Sequence, residues 1–173
     1  IFTSLKEHKT LRQGWAWQDN QNLRILQQKR QRGESFDDAE QAAWRNNTML
    51  GEEAGRGDDA MLEGDLILLP NVPQNGTFSI CRILKGGYQF EEDSPHPDFR
   101  HLLPAELVGF PIANSNKAIS AHLRSKLKAR GRIIRLHELA EEIAKLSKMT
   151  ERDANTVSSS VDRVMTIAQE RLK

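Results

Sequence analysis

Lys117, Arg124, Lys126, Lys128, Arg130, Arg132 and Arg135 fall within the 22 residues from Asn114 to Arg135, a window without a single Asp or Glu, in a chain whose formal net charge is only +1. Cations gathered in this way set up a local positive potential, and the local potential rather than the net charge steers a polyanion. The chemistry it suits is contact with nucleic-acid phosphates or an acidic membrane surface. The plainer alternative is a solvated helix face.

Groups that could do covalent chemistry are sparse. His96, Asp98 and His101 lie close in sequence, but Pro97 interrupts them in a loop without ligand spacing, so no metal site is predicted. Cys81, the single cysteine, sits in the apolar run Phe78-Ser79-Ile80-Cys81. Its neighbour Arg82 should point to the opposite strand face, so Cys81 reads as a small buried residue rather than a nucleophile. One cysteine allows no intramolecular disulfide, which suits a reduced, cytoplasmic setting. Glu52, Glu53, Asp58, Asp59, Glu63 and Asp65 crowd a Gly-rich stretch that reads as a solvated loop, and Gly55-Arg56-Gly57 lacks the Lys-Ser/Thr pair of a phosphate cradle. No cofactor is called for, and the chain reads as a binding protein rather than an enzyme.

These residues need elements to hold them. No apolar stretch is long enough to cross a bilayer and no signal-peptide pattern opens the chain, so no membrane partner is expected. The chain opens on Ile1 rather than Met, as a piece of a longer polypeptide would. Up to about Arg56 the pattern predicts a short strand, a Gly-Trp loop and two helices, the first capped by Asp19 with Leu23 and Leu26 inward, the second started by Ser35 and Asp37 and carrying Ala39, Ala42, Ala43 and Trp44. From Gly64 to about Ile112 strands take over: Leu66 to Leu69, Thr77 to Leu84, Tyr88 to Phe90 and Leu107 to Phe110, joined by Pro and Gly turns. The remainder is helical. Ile119, Leu123 and Leu127 line one face before Gly131; Leu136, Leu139, Ala140, Ile143 and Leu146 line another; Thr150 and Asp153 open a third, carrying Val157, Val161, Val164, Met165, Ala168 and Leu172. The fold class expected is α+β, a small mixed or antiparallel β-barrel over residues 1–113 with flanking helices, and a basic helical segment over 114–173.

Three stretches resemble a known superfamily. Gly64-Asp65-Leu66-Ile67-Leu68-Leu69-Pro70, followed by Gly76-Thr77-Phe78-Ser79-Ile80-Cys81-Arg82-Ile83, is similar to the central hairpin of PUA-like domains, which include the EVE and YTH domains. Trp44-Arg45-Asn46-Asn47-Thr48-Met49-Leu50 resembles the tryptophan-to-Arg-Asn helix of EVE domains. Gln13-Gly14-Trp15-Ala16-Trp17 with Leu23 looks like the N-terminal region of modification-sensing modules in restriction systems, with Asn22 where an Asp would stand.

The resemblance, over roughly residues 1–112, implies a pocket for one extruded, often modified nucleobase. Stacking between aromatic rings would restore about 1–3 kcal/mol of the stacking that base loses, and a methyl group adds only about 0.8 kcal/mol, leaving discrimination to shape. Base-binding candidates are Trp15, Trp17, Trp44, Asn46, Asn47 and Tyr88, each with a plainer alternative: core packing for the aromatics, helix-end capping for the asparagines. The basic residues would contact phosphates, DNA being favoured over RNA, while a nuclease or motor elsewhere acts on the result, as in a restriction or defence system. The competing class is a protein-interaction module docking through the helices from Leu136 to Leu172.

Overall fold

The computed structural model describes residues 1–50, 60–128 and 133–154. Arg130, Arg132, the acidic residues Glu52 to Asp59 with their Gly55–Gly57 stretch, and the face from Val157 to Leu172 lie outside the described residues. The fold is α+β, with a five-stranded antiparallel sheet and helices. Two compact units make it up: Ile1–Ile67, Cys81–Leu107 and Gly131–Arg135 form the first, and Leu68–Ile80, Val108–Arg130 and Leu136–Lys173 the second.

Ahead of the short strand expected before the Gly-Trp loop stands helix α1 (Phe2–His8), which the sequence pattern did not show. Lys9, at φ 50°, ends it in the left-handed conformation and lets strand β1 (Thr10–Gln13) start at once. Helix α2 (Leu23–Gln31) is capped by Asn22, whose side chain accepts from the Arg24 N–H. Asp19 instead starts a single 3-10 turn. Helix α3 (Asp38–Asn47) opens on a capping box, Asp37 accepting from the Glu40 N–H while the Glu40 carboxylate accepts from the Asp37 N–H. Lys29 of α2 ion-pairs with Glu40, which is 1% exposed, and this pairing ties the two helices.

The hairpin strands are β2 (Leu66–Pro70) and β3 (Thr77–Ile83); β4 (Gln89–Phe90) is short, and β5 (His101–Ala113) runs for 13 residues. Strand order is β1-β5-β3-β2, with β4 also on β5, and among the described residues the sheet is not closed. Pairing is antiparallel, Thr10 opposite Pro104 and Gln13 opposite His101, with Phe90 also opposite His101. Strand β3 lies inside the sheet and buries Phe78, Ser79, Ile80, Cys81 and Ile83, the near-continuous burial of a strand covered on both faces.

In the first unit Leu5, Leu11, Leu23, Leu26, Tyr88 and Leu103 make the core. In the second, helix α4 (Ala121–Lys126), capped by Ser120, buries Leu123; after a 3-10 turn over His137–Leu139, helix α5 (Ala140–Leu146) buries Ile143 and Leu146. The short helix α6 (Glu151–Ala154) starts at Thr150, whose hydroxyl bonds the Asp153 carboxylate and N–H, as its sequence predicts.

Candidate nucleic-acid interface

Trp15 and Trp17 occupy a loop held by side chains of the first unit. Trp15 sits at φ 63°, a left-handed conformation that costs on the order of 1 kcal/mol for a non-glycine residue. Asp98 Oδ1 accepts from the Trp15 N–H at 2.8 Å and the Ala16 N–H at 3.4 Å. The carbonyls are held in turn: Asn47 donates to Gly14 at 3.0 Å, His101 to Trp15 at 3.1 Å and Arg100 to Ala16 at 3.4 Å. Five bonds thus fix three consecutive peptides. Trp15 is half-buried, whereas Trp17 is 64% exposed.

His101 anchors this frame as a neutral ring. The Trp15 carbonyl can only accept, so Nε2 carries the proton and Nδ1 accepts from the Tyr88 hydroxyl at 2.8 Å. The Tyr88 oxygen in turn accepts the Leu23 N–H. Burial pushes the His101 imidazole down to about 4, with Arg100 adding to the fall and the Trp15 carbonyl and Asp98 opposing it. Tyr88, 1% exposed, therefore serves the frame. Asn47 is fully buried, with its Oδ1 unpartnered among the described residues, and Asn46, also buried, donates to the Ala42 carbonyl at 2.8 Å.

Trp44 lies elsewhere, at an open cleft of about 470 Å3 over the α2–α3 connection, lined with Arg30, Glu34, Ser35, Phe36 and Gln41. The Phe36 and Trp44 rings are tilted at 58° with centroids 5.7 Å apart, and the Arg30 guanidinium lies 5.4 Å from the Trp44 centroid. Of the cations in residues 29–32, Lys29 is bound to Glu40 and Arg32 to Glu34, while Arg30 has no carboxylate partner among the described residues. Trp15, Trp17, Asn46, Asn47 and Tyr88 do not line this cleft.

The basic window loses part of its charge in three dimensions. Arg124 donates from Nη2 to the Asn116 carbonyl at 2.8 Å and from Nε to the Asn114 carbonyl at 3.2 Å, which makes it a structural cation. Lys126 lies 3.2 Å from the Glu138 carboxylate, with His122 at 3.7 Å from the same oxygen. A bond from its own backbone, and then Lys126, hold the exposed Glu138 carboxyl below its ordinary range. Lys117 and Lys128 are exposed and unpaired among the described residues; Arg135 is exposed. Lys117 also borders a larger cleft of about 700 Å3 whose walls include Glu138, Glu141, Glu142 and Asp153, an acidic lining ill-suited to phosphate. Aromatic side chains line the smaller cleft, where Trp44 is 7% exposed and belongs to the core while Phe36 is half-buried.

Sequence reasoning missed Asn116, His101, Arg100 and Asp98 as organising residues. Buried Asn116 donates to the carbonyls of Asp153 and Ala154 and accepts from the Ala118 N–H. Arg100 is 5% exposed and bonds Asp19 and the carbonyls of Glu91 and Glu92, with its guanidinium 4.6 Å from the Phe90 centroid. The signal that marked Asp98, Arg100 and His101 was the polar run Asp98-Phe99-Arg100-His101 entering a strand, where a charged side chain must find partners; nothing comparable marked Asn116.

Cys81 is fully buried, and desolvation pushes its thiol up to about 12. Among the described residues no three His, Cys, Asp or Glu side chains cluster for a metal, and no helix is long and apolar enough to cross a membrane. Compared with family models, curated proteins and solved structures, the chain matches none, so its function rests on this geometry.

Proposed function

We propose that the protein is a non-catalytic nucleic-acid reader that receives one extruded base, a modified one in the reading its sequence suggests, in the cleft at Trp44. The observation that carries this is the meeting of a half-buried ring, Phe36, packed on the buried Trp44, with a guanidinium that has no carboxylate partner among the described residues, Arg30, and an exposed amide, Gln41, at one concavity. The half-buried Phe36 ring, backed by the buried Trp44, supplies apolar contact for any base; Gln41 supplies a donor and an acceptor for a base edge, and Arg30 a charge for the flanking phosphate. Lys117, Lys128 and Arg135, with Arg130 and Arg132 outside the described residues, add sequence-independent phosphate contacts. The resemblance of residues 1–112 to PUA-like domains supports base extrusion and a cytoplasmic restriction or defence setting with a nuclease or motor partner.

The test is fluorescence anisotropy with matched duplexes carrying cytosine, 5-methylcytosine or 5-hydroxymethylcytosine, and with a single strand, at two salt concentrations. Tighter binding to one modified duplex supports the reading; no binding to any of them at low salt defeats it. Equal affinity for all duplexes would reduce the protein to a backbone binder.

A further inference from the structure

We propose that the exposed aromatic pair Trp17 and Phe99 is a second binding surface, separate in chemistry from the Trp44 cleft, and that it docks an extended Lys- or Arg-bearing peptide segment of a partner protein. Trp17 is 64% and Phe99 39% exposed, and both stand in the first unit. Each sits one residue beyond a member of a bonded pair: the Ala16 N–H donates to the Asp98 carboxylate. The two rings are thereby presented from two chain segments locked to one another. The bonds from Asn47, His101 and Arg100 to successive carbonyls keep the Trp17 segment in place, so little conformational freedom remains to be lost on binding.

The charge around the pair decides what it accepts. Neither residues 13–23 nor residues 86–99 contain a Lys or Arg, whereas they contain Asp19, Glu91, Glu92, Asp93 and Asp98. Among the described residues three cations reach this region, and Arg24 donates to the Tyr88 carbonyl at 2.9 Å. Arg12 binds Glu91 bidentately, at 2.6 and 3.2 Å, and Arg100 is buried against Asp19 and the carbonyls of Glu91 and Glu92. Glu92 and Asp93 are exposed without a side-chain partner among the described residues. A phosphate backbone meets repulsion here. A Lys or Arg side chain gains twice, from its aliphatic stem and cationic head against the ring faces and from the carboxylates around them. The peptide form follows from the presentation of the two rings by separate loop segments, which an extended chain can meet in turn.

The experiment titrates the whole chain with a fluorescein-labelled Arg/Lys-Gly-Ser decapeptide and with a Glu-Gly-Ser control. Wild type should bind the basic peptide and ignore the acidic one. Trp17→Ala, a surface change with no bearing on the core, should weaken basic-peptide binding at least tenfold, Phe99→Ala less, and the double variant Glu92→Gln/Asp93→Asn should remove most of the salt sensitivity. Oligonucleotide affinity of Trp17→Ala should equal that of wild type, which keeps this surface distinguishable from the base cleft whether or not the cleft binds. Unchanged peptide affinity in Trp17→Ala, equal binding of the acidic peptide, or loss of oligonucleotide binding in Trp17→Ala would each overturn the proposal.

Discussion

At His101 a single proton couples the interior to the Trp15 loop. Its folded form resists protonation down to about pH 4, while an unfolded chain takes the proton near 6.5, so the unfolded state binds more protons throughout that window. Stability contributed by the neutral ring is complete above pH 6.5 and is lost as pH falls toward 4, by roughly 3 kcal/mol in all. Urea unfolding between pH 7 and 4 should show this decline, and His101→Gln, which keeps a donor for the Trp15 carbonyl but cannot titrate, should flatten it. An equal pH slope in the variant would assign the effect to other groups. Cys81 makes a second residue-scale case. Its buried thiol, pushed up to about 12, should resist iodoacetamide at pH 8 in the native protein and react at once in urea; native labelling at the rate of a free thiol would contradict its burial.

Among the elements, strand β5 carries a position that only glycine suits. Gly109 lies at φ 70°, and a Cβ there would stand 2.9 Å from the Ser147 carbonyl oxygen, a backbone atom that cannot swing aside. Gly109→Ala should cost roughly 2 kcal/mol and lower the unfolding temperature by about 5 °C. An unchanged melting temperature would mean that this contact relaxes without cost. Arg124→Ala, which removes charged bonds to two carbonyls ahead of α4, should likewise lose about 2 kcal/mol of stability. The elements whose signals are local were legible in the sequence: the Asp37 cap with Glu40, the β2–β3 hairpin after Gly64-Asp65, and the periodic apolar faces of α4 and α5. The length of β5 was not, because Pro104, Gly109 and Pro111 break the strand pattern and are tolerated through pairing partners distant in sequence, such as Thr10 opposite Pro104. The candidate site was half legible. Trp44 could be named from its type, but its Phe36 and Arg30 neighbours depend on how α2 and α3 meet, and the partners that retire Tyr88 and Asn47 to the interior come from His101 and Gly14, remote in sequence.

On the scale of the whole molecule, charge distribution sets what it can approach. A window that is free of acid in sequence is not free of it in space, since Glu138 quenches Lys126 and carbonyls occupy Arg124. Of that window, Lys117 and Lys128 remain as described cations without a carboxylate partner. Removing Lys117 and Lys128 together should therefore make the slope of log affinity against log salt shallower by about 2, whereas Arg124→Ala should leave the slope as it is. The measurement that bears most directly on the central claim is oligonucleotide affinity, by anisotropy at low salt, of wild type against Arg30→Ala and Gln41→Ala, two exposed changes at the Trp44 cleft with unfolding temperature followed in parallel. A loss of about tenfold in each, at unchanged stability, is the predicted result, equivalent to roughly 1.4 kcal/mol; wild-type affinity in both variants would contradict a base bound in that cleft.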